Sequence, residues 1–171
     1  MDARKTLLRR IRWLLVLFLV GLVASGLTAF PIAWEVDLLA RILGVSPALP
    51  PDSYGGVERW VGTVQQGVRA TAARYPFMLY GTDWLAFAHL VIAIAFVGPL
   101  RDPVRNSWVL DFGLIACVLV FPLALICGPI RGIPFFHQLI DCSFGLLGFI
   151  PLWLCRKWTI ELGRLTGNRG P

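Results

Sequence analysis

Four long apolar runs in a weakly charged chain predict an all-α fold, a four-span transmembrane helical bundle with an extracytoplasmic loop of one or two short amphipathic helices. The chain has 171 residues, is 57% hydrophobic and has a mean hydropathy of +0.70. Only 15% of it is charged, against about 25% in an ordinary soluble domain. The apolar excess gathers at about 13–30, 84–100, 108–127 and 135–155. Each run is near the roughly 20 residues that a helix needs to cross a bilayer. Residues 1–171 therefore form a single integral membrane domain, with the lipid bilayer as its first partner.

The net charge is +6. Nucleic acid is not the expected partner, because the cations crowd the ends of the apolar runs, where membrane insertion requires them. The four cysteines, Cys117, Cys127, Cys142 and Cys155, fall within or beside those runs and form no C-x-x-C pair. Neither zinc nor dithiol spacing is present, and buried cysteine ordinarily behaves as a small apolar residue.

The N-terminal stretch holds Arg4, Lys5, Arg9, Arg10 and Arg12, and an apolar run from Trp13 to Phe30 follows, ended by Pro31. A basic start and an apolar core also describe a secretory signal, with cleavage at Ala24–Ser25–Gly26. The core exceeds the usual signal length and more spans follow, so the run is read as an uncleaved first span with its N-terminus in the cytoplasm. Gly21 and Ser25 have the small-xxx-small spacing of closely packed helices.

Residues 31–82 form the outer loop. Trp34, Leu38, Leu39 and Ile42 recur at helical spacing and predict a short amphipathic helix from Trp34 to Leu43. The segment from Ser46 to Gly56 is rich in Pro, Gly, Ser and Asp and is expected to lack regular structure. A second helix is predicted over Val57 to Arg74, with Val57, Trp60, Val61, Val64 and Val68 on one face. Such helices lie along a membrane surface or cap a bundle.

The second span is expected over Trp84–Leu100, with Thr82 or Asp83 as its N-cap. The short link through Arg101 and Arg105 makes spans two and three an antiparallel hairpin. In the third span, Asp111 stands one turn in, where it would meet Arg105 or water, and Pro122 should kink the helix by freeing the carbonyl of Val118. The fourth span carries Pro151 near its end and is followed by Arg156, Lys157, Arg164 and Arg169. The tetrads Gly98-Pro99-Leu100-Arg101 and Gly128-Pro129-Ile130-Arg131 echo one another. Helix-stop chemistry explains them more simply than an inverted repeat does.

The N-terminus, the second link and the tail hold eleven of the sixteen Lys and Arg, and the other side holds five. The positive-inside rule then places both termini in the cytoplasm of a multi-pass protein. Trp13, Trp84, Trp108, Trp153 and Trp158 fall near span ends, the usual place for an amphipathic ring.

The stretch GPIRGIPFFHQLID, Gly128 to Asp141, is the most informative. It joins two spans and sets His137 and Asp141 four residues apart on one helical face. An ionisable residue within a span marks a candidate functional site. His89, six residues past Asp83, and Asp141, six past Phe135, both sit about 9 Å into their helices at 1.5 Å per residue. The candidate polar cluster is therefore Asp83, His89, Arg131, His137 and Asp141. An interhelical clamp of Asp141 with Arg131 or His89 is the favoured reading, because polar groups in lipid must find partners. A proton or small-ligand site is the second. The third is a metal or haem centre drawing on His89, His137 and Asp141, although only His137 and Asp141 share a regular local spacing. No cofactor is predicted. No nucleophile elbow, phosphate loop or H-E-x-x-H motif is present.

Four spans with cysteines invite comparison with the DsbB and vitamin K epoxide reductase families, but their C-x-x-C pair is missing. The stretch from Tyr80 to Cys155, with GTDWLAFAH, GPLRDPVRN, GPIRGIPFF and LIDCSFG, resembles uncharacterised bacterial four-helix integral membrane proteins. That resemblance covers less than half of the chain. It implies a bacterial inner membrane and no particular activity. The expected function is non-enzymatic: an accessory, assembly or small-ligand-binding component, partnered by a second copy or another membrane protein. The alternatives are a redox or metal-dependent enzyme using the His/Asp cluster, and a proton-coupled transport component acting as an oligomer.

Overall fold

A computed structural model describes residues 3–167. The protein is all-helical, 85% helix, with no strand among the described residues. Its elements are α1 (Ala3–Ala29), α2 (Ile32–Ile42), α3 (Gly56–Arg74), α4 (Tyr80–Arg101), α5 (Ser107–Pro122), α6 (Gly128–Ile130) and α7 (Phe135–Leu165). Four segments are long and apolar enough to cross a membrane: Ala3–Ala29, Pro76–Arg101, Ser107–Ile130 and Phe135–Leu165. All four overlap the predicted runs.

The chain divides into two compact units, Met1–Gly21 with Ile92–Pro171, and Leu22–Val91. In the first, α5 packs along α7. The core is built from Ile11, Leu15, Phe96, Val109, Leu110, Cys117, Leu152, Cys155 and Leu162. The rings of Phe18 and Phe96 lie 4.8 Å apart. Close approach of α5 to α7 depends on Gly145. A Cβ there would stand 2.7 Å from the Cys117 carbonyl oxygen. That obstacle is backbone, which cannot swing aside as a side chain can. The link between α4 and α5 is held by its own polar residues. Asp102 Oδ1 accepts from the Arg105 N–H at 3.1 Å, and Asn106 Nδ2 donates to the carbonyls of Gly98 and Asp102.

Two boundaries differ from expectation in this unit. Helix α7 runs ten residues beyond the predicted end at Cys155, to Leu165. Pro151 does not stop it, and Cys155, Thr159, Leu162 and Gly163 continue a buried face past the cations. Arg169 lies outside the described residues. Pro122 is the last residue of the regular helix α5. A π-helical turn over Leu123–Cys127 follows it, and the Leu123 N–H donates to the carbonyls of Leu119 and Val120. The GPLR and GPIR tetrads are used differently. Gly98 and Pro99 lie inside α4, whereas Gly128 and Pro129 begin α6.

In the second unit, α2 and α3 form an antiparallel pair around Ala40, Val45 and Val61, with Leu43 and Tyr54 against them. Both predicted amphipathic helices are present. The connecting segment is not wholly irregular, because Pro51–Ser53 closes a 3-10 turn and the Tyr54 hydroxyl accepts from the Ser46 N–H at 2.9 Å. The buried face of α3 is Val61, Gly62 and Gln65, whereas Val57 stays 46% exposed. The close helix approach falls at Gly26 rather than at Gly21 and Ser25. A Cβ on Gly26 would meet His89 Cβ at 2.9 Å and the Ala86 carbonyl oxygen at 3.1 Å, while Gly21 has nothing within 4 Å. Helix α4 begins earlier than expected because a 3-10 turn over Pro76–Leu79 leads into it. Asp83 therefore stands in its first turn, where a carboxylate favours the helix dipole, and is not its cap. Thr82 Oγ1 donates to the Leu79 carbonyl at 2.6 Å.

Candidate functional site

The turn from α5 into α7 is built by backbone bonds. The Arg131 N–H donates to the carbonyls of Cys127 and Gly128, and the Ile133 N–H donates to the Gly128 carbonyl. Gly132 takes φ +70, a left-handed conformation that glycine adopts without steric cost. Pro134 then precedes the first residue of α7. Gln138, one residue past His137, locks the arrangement. It is 4% exposed, and its Nε2 donates to the Ile133 carbonyl at 2.7 Å. Its Cγ would lie 2.8 Å from a Cβ on Gly128. Gln138 fixes the rotation of the first turns of α7 and hence where His137 and Asp141 stand.

His137 Nε2 and Asp141 Oδ1 are 3.9 Å apart, an ion pair when the imidazole is protonated. Their side chains are 40% and 42% exposed. The pair thus lies on an open flank of α7. Arg131, at the end of α6, is exposed. His89 and Asp83 belong to the Leu22–Val91 unit, and Arg131, His137 and Asp141 to the other. The His89 ring has its own local partner, with Nδ1 2.8 Å from the Leu85 carbonyl oxygen one turn back. Among the described residues, no three His, Cys, Asp or Glu side chains group as a metal site would require. All four cysteines are free. Cys127 is exposed and the other three are buried.

Three polar contacts were not legible from spacing. Arg156 Nε donates to Asp111 Oδ1 at 2.6 Å, joining α7 to α5. Asp111 therefore finds its cation on another helix and not at Arg105. Between α2 and α3, Asp37 Oδ1 accepts from Arg69 Nε at 2.8 Å and Gln65 Nε2 at 2.9 Å. The hydrogen bond from Arg69 holds the Asp37 carboxyl below its ordinary range, against partial burial and with help from Gln65. Gln65 itself is 2% exposed. The third contact is the Gln138 lock. The signal in each case was a polar residue on a helix face otherwise destined for burial.

The polar side chains are thus arranged mostly as separate pairs. Such pairs can tie helices together or meet a polar group brought by another molecule. No family model, curated protein or solved structure matches the chain.

Proposed function

We propose that this chain is a non-enzymatic assembly or accessory component of a bacterial inner membrane, and that it associates with a second copy of itself through the outer turns of α7. Both termini face the cytoplasm and the α2–α3 pair lies outside. This orientation is supported by the eleven of sixteen Lys and Arg in the N-terminal stretch, the α4–α5 link and the tail.

The single observation that carries the proposal is the exposure of His137 and Asp141, 40% and 42%, on a helix long and apolar enough to span the membrane. Lipid chains offer no hydrogen bonds, so a polar pair on such a flank gains by meeting another polar helix face. Hydrogen bonds between membrane helices contribute on the order of 0.6–2 kcal/mol each. A symmetric pairing of two α7 helices would set one His137 against the other copy's Asp141 and count that contact twice.

The competing enzyme reading is separated by cofactor content. The protein purified gently in detergent is expected to be colourless and to carry no stoichiometric transition metal. A Soret band, or metal at one equivalent that depends on His137 or His89, contradicts the non-enzymatic reading.

A further inference from the structure

We infer that the cytoplasmic end of α1 holds an anionic glycerophospholipid, its phosphate between Arg9 and Arg12 and its acyl chains over Trp13 and Val16. Lys5, Arg9, Arg12 and Val16 fall at i, i+4, i+7 and i+11, one stripe of a helix. With Leu8 and Trp13 they line an open concavity of about 460 Å³. Lys5, Arg9 and Arg12 are exposed, and Trp13 is 69% exposed.

The stripe changes chemistry along its length. Three cations occupy its first half, and an indole and a valine follow. Arg9 to Val16 spans about 10 Å at 1.5 Å per residue, the step from a headgroup phosphate to the upper acyl carbons. Trp13 stands between, at the level where indoles anchor to the interface.

Neighbouring cations are engaged in the protein itself. Arg10 lies over the Trp158 ring, 5.9 Å from its centre, and Arg156 pairs with Asp111. Arg12 Nε donates to the Leu100 carbonyl at 3.3 Å, which positions that guanidinium while leaving its other N–H groups available. Among the described residues, no carboxylate pairs with Lys5, Arg9 or Arg12. An anion from outside the chain would supply the missing countercharge. A membrane phospholipid does so with the tail that the apolar half of the stripe accepts.

The test is native mass spectrometry of the full chain equilibrated with equal amounts of phosphatidylglycerol and phosphatidylcholine. The wild-type protein is expected to retain the anionic lipid in preference. Arg9→Gln/Arg12→Gln should lower that preference by about fivefold for each cation removed. Arg59→Gln/Arg74→Gln, with equal charge loss on the outer loop, should leave it unchanged. Where the first double variant fails to fold, Lys5→Gln supplies the readout, with an expected loss of about fivefold. Equal retention of both lipids by the wild-type protein overturns the inference, as does an equal loss in the loop variant. Displacement of the lipid by millimolar inorganic phosphate overturns the role given to the acyl chains.

Discussion

Arg156 Nε and Asp111 Oδ1 lie 2.6 Å apart, and this bond ties α7 to the second turn of α5. The two side chains are 29% and 45% exposed. They bracket the apolar core at the end of the bundle where Val109, Leu110, Leu152 and Cys155 are buried. Removing one partner leaves a charge beside apolar helices. Asp111→Ala is expected to cost about 1.5–3 kcal/mol, the usual contribution of a hydrogen bond to a charged group. Thermal unfolding in detergent measures this. Asp111→Asn/Arg156→Gln should recover part of the loss, because neither member then remains an unpaired charge. Equal melting temperatures for wild type and Asp111→Ala would show that the bond contributes nothing.

Gly145 tests the packing of the same two helices. Its missing Cβ leaves room for the Cys117 carbonyl, so Gly145→Ala must push α5 and α7 apart. A loss of about 1–3 kcal/mol is expected, as for other overpacked sites. Gly67, on α3, has nothing within 4 Å of a Cβ. Gly67→Ala should be neutral or stabilise by up to about 1 kcal/mol, because alanine loses less backbone freedom in a helix. The pair of variants, compared by unfolding temperature, separates a packing requirement from helix propensity.

The four helices were legible because a bilayer imposes one length and one polarity on every segment that crosses it. The four runs and both α2 and α3 follow from that constraint and from helical periodicity. What the pattern left open was which polar side chains meet. Sequence proximity points Asp111 to Arg105, six positions earlier, or to water. Its cation is instead Arg156, 45 residues away, brought there because α7 continues past Cys155. Gln138 and Gln65 gave a related difficulty. Each is an amide on the buried face of its helix, beside Val61 and Gly62 on α3 or Cys142 and Gly145 on α7, and only the fold supplies the partner that satisfies it. Of the candidate cluster, spacing placed His137 beside Asp141. Equal depth along two helices carried no information about whether His89 stands near them.

The α2–α3 pair should respond to acid. Asp37 has a lowered carboxyl pKa in the folded state, held down by Arg69 and Gln65. A carboxyl lowered on folding stabilises the α2–α3 pair fully above its unfolded value, and that stabilisation fades as pH falls through the folded one. The loss should therefore come at pH below about 4, the ordinary range of an aspartate. Hydrogen exchange of the α2 and α3 amides, corrected for intrinsic rates, should speed up there relative to pH 6. The same comparison in Asp37→Asn should show a smaller change. An acid response of equal size in that variant would assign the effect to other groups.

Self-association through α7 is tested most directly by energy transfer between donor- and acceptor-labelled copies of the full chain in liposomes at low protein-to-lipid ratio. Transfer above the random-encounter level is expected for the wild-type protein. Asp141→Leu should reduce it to that level, and Asp141→Asn, which keeps a hydrogen-bonding group, should retain part of it. Wild-type transfer no greater than random encounter, or undiminished transfer in Asp141→Leu, would contradict the proposed role of the His137–Asp141 pair.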